Sequence, residues 1–408
     1  MDFSHLMGFD VAMFLGGNKG VSGTDSTFIR VVNGLASNGS NLTLFAKGSL
    51  EPGNIATRYT TGVEEATDIA IKEHFDCLVF VYKEYQEVIN AIQLANRSSL
   101  KMIVWAQNPI GHVYLDLFAH SPSILHIVYV EQFDANHIRH HKAFQKALVI
   151  PNGIEEEVYA RLPSSNSKSS QVCFLGSISY SKGFHHLAKA WPTIRKQVPD
   201  ATLLILGSGK LYDNRAKLGP LQLGEESYEK EYIMPFLGKN ETELFENGVR
   251  RMGLVTRNDL LMILTHCKVV CINPNTEGSL ESCSVSSLEA QMIGVPIVAG
   301  KAGGNLCTIL QGKTGFLVTQ GELPHAVVKL LKNEELRIRM GNNAKKWATT
   351  HYELESILQK WELYFYQPEN KWASLKPRLS KNILSFKIIV KTVVGMLKGY
   401  RPNGILNT

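Results

Sequence analysis

The sequence predicts an α/β protein made of two tandem doubly wound domains that face each other across a cleft. Three observations carry this. At 408 residues the chain exceeds one ordinary core, so two domains are expected. Short apolar runs alternate with helical patterns, the signature of βαβ units and a mostly parallel sheet. The alternation closes at the turn Pro151-Asn152-Gly153, passes a polar stretch over Pro163–Ser170, and then starts again.

In chain order, the first half offers strands at Val11–Leu15, Leu42–Ala46, Cys77–Tyr82, Met102–Ala106, Ile124–Val130 and Ala147–Ile150. Between them the periodicity predicts helices over Ser26–Ser37, Val63–His74, Tyr85–Asn96, Gly111–Ala119 and Phe133–Gln145. The second half opens with a strand at Val172–Leu175, a helix at Phe184–Gln197, and a strand at Ala201–Leu206 that ends in Gly207-Ser208-Gly209. Lys210–Asn247 is charged and weakly periodic, and reads as an inserted excursion with one or two helices. Val249–Val255, Asn258–Thr265 and Lys268–Ile272 resume the rhythm, followed by strands at Ile297–Ala299 and Gly315–Val318. Helices at Pro324–Leu331, Glu335–Thr350 and Glu353–Tyr366 close it. The expected units are residues 1–152, residues 153–350, a helix over 351–367 returning to the first domain, and a tail over 368–408.

Composition sets limits on function. The chain is 44% apolar and 20% charged, with no run of about 18 uncharged apolar residues, so a spanning helix is not expected. The start lacks a basic n-region, so no cleavable signal is expected. Six cysteines, mostly in apolar runs, suggest reduced thiols in a cytoplasmic protein. From Pro368 onward eight Lys/Arg stand against Glu369, a net +7 that leaves −1 on the first 367 residues of this +6 chain. Basicity therefore belongs to the tail, and nucleic acid is not an expected partner. Ser380–Lys398 puts Lys387, Lys391 and Lys398 on one helical face among apolar residues. It suits either an anionic membrane interface or packing on protein.

The candidate site centres on Glu277–Gly304. Glu281 and Glu289 bracket a serine-rich turn, where Ser284, Ser286 and Ser287 are helix-starting types. Eight residues at helical rise span roughly 12 Å, the reach from a sugar across a diphosphate to a ribose. A helix N-terminus suits phosphate, although a plain capped helix with two solvated glutamates reads equally well. Lys182-Gly183 stands six residues after Phe174-Leu175-Gly176 at another helix start, where a lysine opposes the dipole unless an anion answers it. Gly303-Gly304 follows a strand, and so does the glycine cluster Gly16, Gly17, Gly20 and Gly23. The spacing of that cluster is wrong for a dinucleotide fingerprint, and Lys47 stands where a ribose-binding acid would. His112, His120, His137, His140, His141, His185 and His186 form no catalytic or metal-binding arrangement readable from sequence. No Asp-x-Asp occurs, which argues against a carboxylate-held divalent cation, so no metal and no cofactor are expected.

Read together, Pro151-Asn152-Gly153-Ile154, Phe174-Leu175-Gly176…Lys182-Gly183, Gly207-Ser208-Gly209, Glu281-x7-Glu289, Gly294-Val295-Pro296 and Gly303-Gly304…Gly312…Gly315 resemble the family-4 retaining glycosyltransferases of the GT-B fold (glycosyl transferases group 1). The resemblance is specific from Pro151 to Val318 and loose before it. It implies that the second domain binds a nucleotide-sugar donor and the first a glycan or lipid-linked acceptor, without metal, in cell-surface polysaccharide synthesis. By resemblance Glu281 contacts the transferred sugar, Glu289 the ribose, Lys182 the diphosphate, the Gly16-Gly17 loop donor phosphate, and the Ser284-Val285 turn the distal phosphate. Gly303 and Gly304 line the donor. Asn108, at a strand end, is the acceptor-side or catalytic polar residue. The chain departs from the pattern at Ser177, where an arginine is usual, at Ser284 for a glycine, and at Cys307 for an acid. The alternatives are a nucleotide-sugar 2-epimerase on the same fold and a non-catalytic binding subunit. The expected location is the cytoplasm, with peripheral contact on the inner face of the plasma membrane through 380–398.

Overall fold

The computed structural model describes residues 2–3, 9–10, 23–46, 50–51, 55–162, 169–211, 215–278 and 281–366. Two parallel sheets form the two domains. The first contains β1 (Asp2–Phe3), β2 (Thr43–Ala46), β3 (Ala56–Tyr59), β4 (Cys77–Val81), β5 (Lys101–Ala106), β6 (Ile124–Tyr129) and β7 (Ala147–Val149), in the spatial order β3-β2-β1-β4-β5-β6-β7. The second contains β8 (Gln171–Leu175), β9 (Thr202–Leu206), β10 (Val249–Gly253), β11 (Val269–Ile272), β12 (Ile297–Gly300) and β13 (Gly315–Val318), in the order β10-β9-β8-β11-β12-β13. Counted within its own domain, each order begins 3-2-1-4-5-6, with a seventh strand added in the first, the doubly wound arrangement whose strand order reverses beside the first strand. Ligands of such sheets gather at the carboxyl ends of the strands, and the expected fold class holds.

The strands are apolar runs because parallel strands are covered on both faces. Phe80, Val104, Val128, Val270 and Val298 are fully or almost fully buried. β3 is the exception: Ala-Thr-Arg-Tyr is mostly exposed at the sheet edge and carries no apolar run, so no strand is expected there from periodicity. The expected strand Val11–Leu15 lies outside the described residues, and β1 occupies the position between β2 and β4. The helix expected over Phe133–Gln145 divides into Gln132–His137 and a 3₁₀ turn, Lys142–Lys146. The break has a local cause: the His141 ring accepts the Ala143 N–H at 3.1 Å and starts a new turn. The excursion holds one irregular helix over residues 226–237 and a short one at Glu241–Glu246. All six cysteines are free thiols.

The chain crosses between the domains twice, and the crossings are bonded to each other. Ile154 donates to the Tyr352 carbonyl at 2.8 Å, and Leu354 donates to the Ile154 carbonyl at 3.0 Å. Beyond them the helix Leu354–Tyr366 packs on the first domain. Leu358 sits against Gly34, and the Trp361 ring lies 4.8 Å from that of Trp105, which stacks in turn on Phe28. Trp361 is completely buried, so it serves as a core residue of a domain that the rest of the chain left some 200 residues earlier. We expect Trp361→Ala to lower stability by about 3–5 kcal/mol, the usual cost of such a cavity, measurable as a shifted urea midpoint.

Candidate active site

The site is assembled at the carboxyl ends of β8, β11 and β12. After β8 the chain makes a 3₁₀ turn, Tyr180–Lys182, and enters the helix Phe184–Gln197 through Gly183 at φ 69°. A Cβ on Gly183 would stand 2.9 Å from Asn275 Cγ in addition to the strain of that backbone. The contact closes the turn: Asn275 donates to the carbonyls of Tyr180 (3.1 Å) and Ser181 (2.9 Å). Lys182 is thereby delivered to Glu281, with Nζ donating to Oε1 at 2.7 Å. Asn273, at the end of β11, donates to the same oxygen at 3.0 Å.

The loop bearing Glu281 is locked from behind. The Gly304 N–H donates to the Glu281 carbonyl at 2.6 Å, and a Cβ on Gly304 would fall 1.3 Å from the Ser282 carbonyl oxygen. Gly303 takes the positive φ of 57°. The Gly304 amide is thus engaged within the protein, and this glycine contributes shape and closeness to the loop. The helix Val285–Ile293 opens with Ser284 as its cap, whose Oγ accepts the Ser287 N–H at 3.2 Å. The N–H groups of Val285 and Ser286 have no acceptor among the described residues, so these two carry the helix's anion-binding capacity.

Glu289, a turn and a half inside that helix, is buried and engaged. Its Oε1 lies 3.5 Å from Arg30 Nη2 and accepts the Tyr159 hydroxyl at 3.5 Å. Arg30 comes from the first domain's helix Gly23–Ser37, and its Nε is 2.8 Å from Glu155, which also holds Arg257 Nη2 at 2.8 Å. Burial alone would raise the Glu155 carboxyl; the two guanidiniums outweigh it and hold the group below its ordinary range. A second link between the domains is neutral. Gln107 and Asn152 pair through their amides (3.2 and 3.4 Å), and Asn152 donates to the Cys283 carbonyl at 3.3 Å.

Other expected residues fall elsewhere. Ser177 is buried with its hydroxyl directed to the Ser208 carbonyl at 3.4 Å, so no charge stands at that position. Asn108 is exposed beyond the end of β5, while its neighbour Gln107 is the buried one. Gly16 and Gly17 lie outside the described residues. Their loop's exit is visible, for Gly23 lies against Val285, where a Cβ would come within 3.3 Å of Cγ2. His112, Asp116 and His141 do converge at the surface. However, His141 Nδ1 accepts the Ala143 N–H, so Nε2 carries the proton that it turns toward Asp116, 3.1 Å away, and cannot ligate. Sequence reasoning missed Asn273 and Asn275, which a strand-end search would have found. It also missed Arg30, a lone charge in the apolar run Phe28–Val32.

Two tandem doubly wound domains form the GT-B architecture, and solved GT-B proteins superpose on it. Anabaena HepE, solved with UDP and glucose, matches with a TM-score of 0.62 at 16% identity, covering 85% of this chain and 96% of that one. A sucrose-phosphate synthase from Thermosynechococcus elongatus gives 0.62 at 14% identity, over 84% and 92%. Residues 157–347 match the family model described as glycosyl transferases group 1. A GDP-mannose-dependent phosphatidylinositol monomannoside mannosyltransferase of Mycolicibacterium smegmatis is 23% identical, over 64% of this chain and 69% of its own length. A capsular polysaccharide glycosyltransferase of Staphylococcus aureus is 24% identical over 54% and 50%, so the chain spans only about half of that relative.

Arg30→Met keeps the volume but leaves Glu155 and Glu289 buried with one cation fewer. We expect a loss of about 3–5 kcal/mol in chemical denaturation, the range for breaking a buried ion pair from one side.

Proposed function

We propose that this protein is a retaining, metal-independent hexosyltransferase that moves a sugar from a nucleotide diphosphate sugar to a glycan or lipid-linked acceptor in cell-surface polysaccharide synthesis. The pairing of Lys182 with Glu281 carries the reading. These partners stand 99 residues apart in sequence, half-sheltered at adjoining strand ends, and are the two groups that departure of a diphosphate and grip of a sugar require. One relative is named for a phosphatidylinositol monomannoside and another for capsular polysaccharide biosynthesis, which supports the acceptor class.

In this mechanism the donor's phosphate takes Lys182 and the amides of Val285 and Ser286, while a sugar hydroxyl takes Glu281. Glu289, held through Oε1, meets a ribose hydroxyl with its other oxygen. The bond from the sugar's anomeric carbon to the leaving phosphate breaks as the acceptor oxygen bonds to the same face. The acceptor's proton passes to the departing phosphate, and Asn108 stands on the acceptor side. Lys182 and the helix dipole supply the charge neutralisation for which other enzymes use a cation. With Ser177 uncharged, Lys182 is the cation this mechanism assigns to the phosphate.

A panel of nucleotide sugars screened by thermal stabilisation should identify the donor, because a ligand at 100 times its Kd adds about 2.7 kcal/mol to stability. With that donor, Glu281→Gln should reduce transfer about a thousandfold at unchanged circular dichroism, and Lys182→Ala should weaken donor binding about 10- to 100-fold. Unchanged turnover in Glu281→Gln would dismiss this site. Donor binding without transfer to any acceptor would favour the non-catalytic reading, which the uncharged Ser177 supports.

None of the described helices is long and apolar enough to cross a membrane. The proposed lipid contact instead rests on the basic segment 380–398, which lies outside the described residues. Deleting Pro368–Thr408 should abolish co-sedimentation with vesicles rich in anionic phospholipid and leave binding to neutral vesicles unchanged; retained binding would refute the contact.

A further inference from the structure

Glu131 has no place in the chemistry above, yet it is the carboxyl most deeply sunk between the domains. It follows β6 and begins the helix Gln132–His137, which packs on the donor-side helix Asn305–Thr308. Only 4% of it is exposed, and Oε1 has no hydrogen-bond partner among the described residues. The groups that face it are the thiols of Cys307 and Cys283 from the donor domain, Asp134 from its own helix, and Tyr352 at the domain crossing. Asp134 in turn meets the Ser282 hydroxyl and His137. No lysine or arginine is among them.

We propose that Glu131 is a positioning residue for the donor loops: its carboxyl, docked across the domain boundary onto Cys283 and Cys307, fixes the Glu281–Ser284 loop and the Gly303–Cys307 turn relative to each other. Cys283 lies two residues from Glu281, and Cys307 three from Gly304, whose amide holds the Glu281 carbonyl. The carboxyl thus faces both halves of the lock behind the Lys182–Glu281 pair. The donor side has Cys307 where the family pattern puts an acid, and Glu131 faces that thiol. The first domain supplies the carboxyl instead.

The environment favours the neutral acid. Burial is the main cause, opposed in part by the thiols, and the group is pushed up to about 8 from 4.5. The sign follows: the folded protein binds a proton here that the unfolded chain releases above about 4.5. Glu131 therefore costs stability progressively as pH rises from about 5 to 8, and the loss levels off above that. Asp134, raised by burial, slopes the same way and remains in any Glu131 variant.

The positioning role rests on the donor reading above; the docking and its pH dependence do not. We would measure the melting temperature of the full-length protein from pH 5.5 to 8.5, and the binding of UDP and GDP, for wild type, Glu131→Gln and Glu131→Ala. The expected result is a shallower decline of melting temperature with pH in Glu131→Gln than in wild type, with nucleotide binding kept. Glu131→Ala should bind nucleotide at least about tenfold more weakly, since supports of this kind set ångström-scale placement. Equal slopes in wild type and Glu131→Gln would overturn the docking. Wild-type affinity in Glu131→Ala would overturn the positioning role. If neither nucleotide binds wild type, the donor reading fails and the positioning role falls with it, while the slopes still report on the docking.

Discussion

A guanidinium with 1% of its side chain exposed has to be answered by carboxylates, and Arg30 is answered from across the domain boundary. Its partners are Glu155, just past the first crossing, and Glu289, on the helix that opens the donor site. The alignment of the two sheets is therefore set partly by charge. Apolar packing can slide at small cost, whereas a buried pair loses most of its attraction when the geometry changes. Glu289 shows what this implies for the site: a residue expected to wait for a ribose is already part of the joint between the domains.

Burial raises both carboxyls at that joint, yet they end on opposite sides of their ordinary range. Glu155 has Arg30 and Arg257 beside it and stays charged below its ordinary range; Glu131 has thiols and another acid, and is pushed toward neutrality. What separates them is the presence of cations. One side of the boundary is held by charge and the other by neutral hydrogen bonding, to which the Gln107–Asn152 pair also belongs.

The rhythm of strands and helices was legible because strands covered on both faces must be apolar throughout. Glu281, Lys182 and the glycine pair were legible because the ends of strands can be counted off in sequence. What escaped were relations set only by folding. Nothing local marks Glu131 as buried, for it begins a short helix in a polar stretch. The exposed strand Ala56–Tyr59 has no apolar alternation, and the amides of Asn273 and Asn275 look like ordinary turn residues. Arg30 had a stronger signal, since a charge inside Phe28–Val32 needs a partner wherever that helix packs.

The two crossings of the chain, bonded to each other at Ile154, Tyr352 and Leu354, make a single short axle between the domains. Two independent linkers would let the halves twist and drift; two strands stitched side by side permit mainly rotation about their common line. Any opening of the cleft is then close to a one-parameter motion. The loop locked behind Glu281 by Gly304 turns with its domain as a rigid jaw, and access to the cleft becomes a matter of angle.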